Sequence, residues 1–181
     1  MVGDPNRNEG TKCMKFSISL IAVFVLSGCW SLTKSRDDFS LIWNPTVGMA
    51  ATSRFNAVLF SGDWIVREGF EDDWDFDQFR FDVTEGSNLG TWKQPNAQAR
   101  VRLGQLGVFF IDYIGQSHMD EEVVVLWVDE RFRTAALAAR NGQAAVIVDR
   151  KINGGLDRIE AARVLLRKNG FDISKLTAVE Y

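Results

Sequence analysis

The sequence predicts an all-β fold, an eight-stranded up-and-down antiparallel barrel followed by one α-helix. Three observations point there. From Trp64 onward, short apolar or alternating segments are separated by Gly, Asn and Pro turns, which is the punctuation of strands. Eight such segments precede Arg150, and a sheet of that count removes its edges by closing on itself. Leu156 to Lys168 then carries Leu156, Ile159, Ala162 and Leu166 at helical spacing, and Asn169 with Gly170 ends it.

The chain has 181 residues, 46% of them hydrophobic, enough for one domain with a real core. Its net charge of −3 and the lack of a basic stripe argue against a nucleic-acid partner.

The first element is not part of the fold. Met14 and Lys15 open a charged lead, Phe16 to Leu26 is almost wholly apolar, and Leu26, Ser27, Gly28 and Cys29 close it. That run is too short to span ~30 Å of hydrocarbon as a helix and reads as a signal peptide. Residues 1–28 are therefore assigned to the signal, with Met14 the expected start. Residues 29–53 follow as a tether and a segment laid along the barrel, and 54–181 as the barrel with its helix. Cys13 lies upstream of that start, so no disulfide is expected.

The strands follow in order. Trp64 to Phe70 is the first, and the acidic run Glu71 to Asp77 comes after it. Phe79, Phe81 and Val83 alternate with Arg80, Asp82 and Thr84, the period of a half-buried strand. Leu89 to Lys93 sits between the turns at Gly86 and Pro95. Arg100 to Leu103 and Val108 to Ile114 are a hairpin or one kinked strand around Gly104 and Gly107. Glu122 to Asp129 is apolar on both faces and must be covered on both. Arg133 to Leu137 and Ala144 to Val148 flank Asn141 and Gly142, a strong hairpin signal. Phe171 to Val179 adds a short strand after the helix.

Four stretches carry a family resemblance. Phe55, Asn56 and Ala57 lead into Gly62, Asp63 and Trp64, a glycine two residues before a tryptophan at the start of the first strand. Asp129 and Phe132 stand at the turn after the sixth strand, and Arg150 just after the eighth. Asn169 to Lys175 follows the helix. Together they resemble the lipocalins, in particular the bacterial outer-membrane branch related to apolipoprotein D. The resemblance covers Phe55 to Val179. It implies a helix packed outside the barrel, Trp64 as a plug at the barrel floor, and Arg150 lying across its indole. Leu26 to Cys29 likewise resembles the lipobox of bacterial lipoproteins. That implies cleavage before Cys29, acylation of Cys29 with palmitate-type chains, and an outer-membrane protein facing the periplasm. The chain departs from the family in a short stretch between Trp64 and Asp129. It also has Ala144, Ala145 and Val146 where bulkier residues are usual, which implies a wider or rearranged cavity.

The expected function is to bind or transport a small hydrophobic ligand, a fatty acid or lysophospholipid, inside the barrel, beside the membrane reached through Cys29. Register makes Val66, Phe70, Phe79, Phe81, Val83, Val125 and Trp127 the candidate ligand-lining residues. Glu68, on the face of Trp64, is the candidate head-group contact. The alternative is a structural or interaction lipoprotein with a filled barrel that docks a protein partner. A lipocalin-like enzyme is disfavoured, because polar groups inside are limited to Glu68 and Tyr113. Gly115, Ser117 and Met119 spell only a broken hydrolase elbow, and His118 is the single histidine. Asp73, Asp75 and Asp77 alternate as in a calcium loop, but Gln78 and Thr84 stand where its glycine and glutamate belong. No metal, cofactor or catalytic residue is assigned.

Overall fold

A computed structural model describes residues 42–70, 76–114 and 121–181. The signal peptide, Cys29 and its tether, the Asp73 and Asp75 positions, and Gly115 to Met119 lie outside the described residues.

Eight strands run in sequence around the barrel: β1 (Gly62–Phe70), β2 (Gln78–Val83), β3 (Leu89–Lys93), β4 (Gln98–Leu103), β5 (Val108–Tyr113), β6 (Glu121–Val128), β7 (Thr134–Ala139) and β8 (Ala145–Asp149). Each pairs antiparallel with the next, and β1 pairs with both β2 and β8, which closes the sheet. The segments around Gly104 and Gly107 are two strands of a hairpin. The end of β1 beyond Ile65 lies past its pairing with β2. A short ninth strand, β9 (Leu176–Ala178), pairs there with Glu68, Gly69 and Phe70. No long strand edge is left bare in this region.

A single turn of helix, α1 (Ala57–Phe60), precedes β1, with the Asn56 side chain accepting from the Leu59 amide at 3.0 Å. It covers the end of the barrel where β1 begins, so that end is the floor. The opposite end, carrying the β3–β4 and β7–β8 turns, is the mouth. The long helix α2 (Leu156–Lys168) starts from the floor end and packs against β6, β7 and β8 from outside. Arg167 and Lys168 in its last turn complement the helix dipole.

Two cores result, one on each face of the sheet. Inside lie Trp64, Val66, Phe79, Phe81, Trp92, Val101, Phe109, Val125, Leu137 and Val148, among others. Outside, Ile159, Ala162 and Leu166 of α2 bury against Val124, Ala136, Ala138, Ala145 and Ile147. This explains why β6 is apolar on both faces. Of the small residues expected to alter the cavity, Val146 lies in the inner core, while Ala145 points outward with Ala136 and Ala138, where they let α2 lie close to the sheet.

Residues 42–54 descend along the outer face from the mouth end. Trp43 donates its indole N–H to the Asn169 carbonyl at 2.8 Å, the Ala50 amide reaches the Asn169 side chain at 2.8 Å, and the Thr52 amide reaches the Val125 carbonyl at 2.8 Å. Gly142 is required at the β7–β8 turn for two reasons. Its φ is +74°, and a Cβ there would sit 2.1 Å from the Trp43 ring.

Candidate functional site

The floor is built around one stacked pair. Trp64 is fully buried, donates its indole N–H to the Phe60 carbonyl at 2.8 Å, and stacks on the Phe60 ring at 4.6 Å. The Arg150 guanidinium lies over the Trp64 indole, 3.7 Å from its centroid. Its N–H groups reach five backbone carbonyls: Leu59 (3.3 Å), Phe60 (2.9 Å), Ser61 (2.9 Å), Asp63 (2.8 Å) and Phe132 (3.2 Å). Burial pushes the Arg150 side chain down to about 10, with Asp63 and Asp149 opposing the shift. It therefore stays cationic at neutral pH, and one residue ties α1, β1 and the β6–β7 turn together. Gly62 makes room for it. Its φ is +107°, and a Cβ would stand 3.1 Å from the Arg150 guanidinium.

The β6–β7 turn presents the Phe132 carbonyl to Arg150 from a strained backbone, with φ +53°. The Asp129 carboxylate holds that turn. It accepts from the amides of Arg131, Arg133 and Thr134, and from the Arg133 guanidinium at 2.9 Å. Burial alone would raise the Asp129 carboxyl. The N–H groups of Thr134, Arg133 and Arg131 outweigh burial, and the net shift is downward.

Above the floor, the inner wall contains Val66, Phe79, Phe81, Val83 and Val125 among the expected lining residues. Phe79 stacks on Trp92 at 3.8 Å, and Phe109 stands 5.3 Å from Phe81 and 6.0 Å from Trp92.

Three expectations about the wall fail, for one physical reason. Phe70 and Trp127 belong to the outer core beneath α2, and Glu68 faces α2 rather than a ligand. Register shifts between Val66 and Glu68 in β1, and between Val125 and Trp127 in β6. One extra residue in a strand reverses the in–out phase of everything after it. Glu68 consequently pairs opposite Ile147 on the outer face and binds the Arg163 guanidinium through both oxygens. A second buried cluster fastens the start of α2. There the Thr134 hydroxyl donates to Asp149, while Arg158 donates to Thr134 at 2.7 Å and to Asp149 at 3.2 Å.

The polar groups of the interior lie elsewhere, at the mouth. Glu121 pairs opposite Ile111, and Ile111 and Val123 both line the interior, so Glu121 stands on the inner face. Tyr113 packs against the inner core and accepts from the Gln94 side chain at 3.3 Å. Burial, then the nearby Glu121 charge, pushes the Tyr113 hydroxyl up to about 12, and burial also raises the Glu121 carboxyl. Deeper in, the fully buried Trp92 has an indole N–H with no acceptor among the described residues. A depression of about 320 Å³ opens beside Tyr113, between Gln98 and the β3–β4 turn. Of these groups only Tyr113 was picked out from the sequence. Glu121 was missed because its strand was expected to begin one residue later, and Trp92 because an unpaired donor has no sequence signature.

The architecture has counterparts among solved structures. Lobster apocrustacyanin A1 superposes with a TM-score of 0.56 at 12% identity, covering 77% of this chain and 91% of that one. Insecticyanin from the tobacco hornworm Manduca sexta gives 0.54 at 11% identity, covering 72% and 83%. The amine binding protein of Rhodnius prolixus, in its tryptamine complex, gives 0.52 at 13% identity, with the same coverage of 72% and 83%. All are lipocalins with an eight-strand barrel. The barrel of this chain has the lipocalin fold. No family model matches the sequence, and no curated protein matches it. Identities this low carry the fold and leave the ligand to be argued from the residues.

Proposed function

We propose that this lipocalin-fold protein binds a single-chain lipid, a fatty acid or lysophospholipid, and handles it beside the bacterial outer membrane. In this reading the protein is anchored through acyl chains on Cys29 and faces the periplasm. The observation that carries the proposal is the inner face of the closed barrel. It is apolar from the Trp64 floor upward and becomes polar only at the mouth. An acyl chain entering such a space gains about 0.8 kcal/mol per buried methylene before ordering costs. An anchor on Cys29 would be compatible with this reading, since Trp43 and Asn44 join the barrel beside Gly142 and Gly170 at the mouth end. The neighbour that binds tryptamine also places a small, largely apolar molecule on this fold.

A second reading is favoured by the aromatic rings. Phe55, Phe60, Trp64, Phe81, Phe109, Trp92 and Phe79 form a continuous chain of ring contacts inside the barrel. A barrel filled by its own side chains would act through its surface, on a protein partner.

Native mass spectrometry separates the two. Protein carrying Cys29→Ser, titrated with palmitate and with lysophospholipids, should show adducts of one lipid per barrel. No adduct from a folded protein would leave the filled barrel as the better account. Fractionation of cells tests the anchor: wild type should pellet with membranes and Cys29→Ser should not.

A further inference from the structure

Which head group the mouth accepts follows from what stands on its inner face. Among the described strand residues, the positions that face inward are hydrocarbon or aromatic with one charged exception, Glu121. The arginines of the neighbouring strands point the other way. Arg80 engages Asp63 and Asp82 outside, Arg102 lies over the Phe110 ring at 4.1 Å, and Arg140 reaches Glu122 at 2.8 Å. No inward cation is therefore offered by these strands to a carboxylate head. Glu68, the other acidic candidate, already holds Arg163 on the outer face.

A row of paired residues crosses the inner face near the mouth. Trp92 pairs opposite Ala99, and Ala99 opposite Tyr113, so the smallest side chain in the row separates the indole from the phenol. Ala99 is fully buried, and the depression lined by Gln98 and Tyr113 lies beside it at the β3–β4 turn. Glu121 stands one strand further on, diagonal to Tyr113. Trp92, fully buried in this row, carries an unpaired donor, and a buried donor without an acceptor is costly. From the floor outward the order is therefore an apolar inner face, an N–H that needs an acceptor oxygen, and a carboxylate that needs a cation.

We propose that the barrel selects a single-chain amphiphile with an ammonium head, which Glu121 binds at the mouth while Trp92 donates to an oxygen behind it. This rests on the carrier reading above and narrows it, favouring a lysophospholipid with an amine head over a fatty acid. The preference has a physical basis beyond charge attraction. A carboxylate ligand would bring a second negative charge into a poorly solvated mouth, where like charges repel strongly. An ammonium would relieve the desolvation that already raises the Glu121 carboxyl.

Three probes with one alkyl chain and different heads test it: dodecylamine, dodecanol and dodecanoate, titrated below their micelle concentrations at neutral pH. Dodecylamine should bind at least about tenfold more tightly than dodecanoate. Glu121→Gln should abolish that preference while leaving dodecanol within about twofold of wild type. Circular dichroism establishes that the variant is folded. Lysophosphatidylethanolamine forms a further arm. If it outcompetes dodecylamine and shifts the Trp92 indole N–H resonance, a shift lost in Trp92→Phe, the ammonium belongs to a lipid head group. If dodecylamine binds as well or better, the ligand is a free amine, and the ammonium chemistry still stands. Equal or tighter binding of dodecanoate, or an amine preference that survives Glu121→Gln, overturns the inference and leaves the carrier reading intact. If no alkyl probe binds the folded protein, the carrier reading falls and this inference falls with it.

Discussion

Replacing Arg150 with alanine should be among the most destabilising changes available at the surface of this barrel. The Arg150 guanidinium sits 3.7 Å from the Trp64 centroid and donates to five carbonyls drawn from α1, β1 and the β6–β7 turn. The indole contact contributes about 0.5–2 kcal/mol. Bonds to the Phe60, Ser61 and Phe132 carbonyls are partly buried, and each loses about 1 kcal/mol when its donor goes. The carbonyls of Leu59 and Asp63 are exposed and are rehydrated at little cost. Arg150→Ala should therefore lower stability by about 3–5 kcal/mol in urea-induced unfolding followed by tryptophan fluorescence. Lysine has three donors on a flexible stem and no plane to stack, so Arg150→Lys should recover less than half of the loss. Because the acceptors are carbonyls, high salt should leave the difference almost unchanged, unlike that of a surface ion pair. A loss below about 1 kcal/mol, or a strong salt dependence, would falsify the assignment of Arg150 as the floor's tie.

Other perturbations follow from the same geometry. The Asp129 carboxyl is held below its usual 3.8, so it contributes stability that is fully present above that value and lost as pH falls through its folded value. Asp129→Asn should cost about 1–2 kcal/mol at neutral pH and flatten the acid limb of the stability curve, measured by thermal unfolding between neutral and acidic pH. An unchanged acid limb would count against the turn's dependence on that carboxylate. Arg163→Ala strands the buried Glu68 carboxylate beneath α2 and should destabilise by about 2 kcal/mol. Hydrogen exchange should show the loss concentrated in α2, and uniform loss across the barrel would contradict it. Trp127 packs outside, so Trp127→Ala should leave lipid adducts in place. Ala99→Leu, which adds bulk to the inner face beside Trp92, should weaken them in a protein that remains folded.

Much of this fold is legible residue by residue. Alternation in Phe79, Phe81 and Val83 marks β2 and its inner face, because a strand's side-chain period is a property of its own backbone. The helix from Leu156 to Lys168 and its stop at Gly170 are local too, set by spacing and by a φ of +91° that glycine tolerates. Even the Trp64 and Arg150 partnership is visible, once both ends of the barrel sequence are set beside a familiar pattern.

The interior's chemistry is a different matter, because it depends on which face each residue turns to. Two insertions of a single residue, in β1 after Val66 and in β6 after Val125, move Glu68, Phe70 and Trp127 from the expected lining to the helix side. Nothing in the residues at those points announces a bulge. Each appears only in the pairing with a neighbouring strand, β1 with β8 and β6 with β7. Glu121 gains its place by the same route, through its pairing with Ile111. The indole N–H of Trp92 is unpaired only because the neighbours assembled around it offer no acceptor. The sequence by itself determined the run of strands and the closing helix, since these rest on local periodicity and turn-forming residues, while the floor and the helix's outside position came from the family resemblance. Only the tertiary structure decided which polar groups face inward, because the pairing between strands sets the phase that points them there.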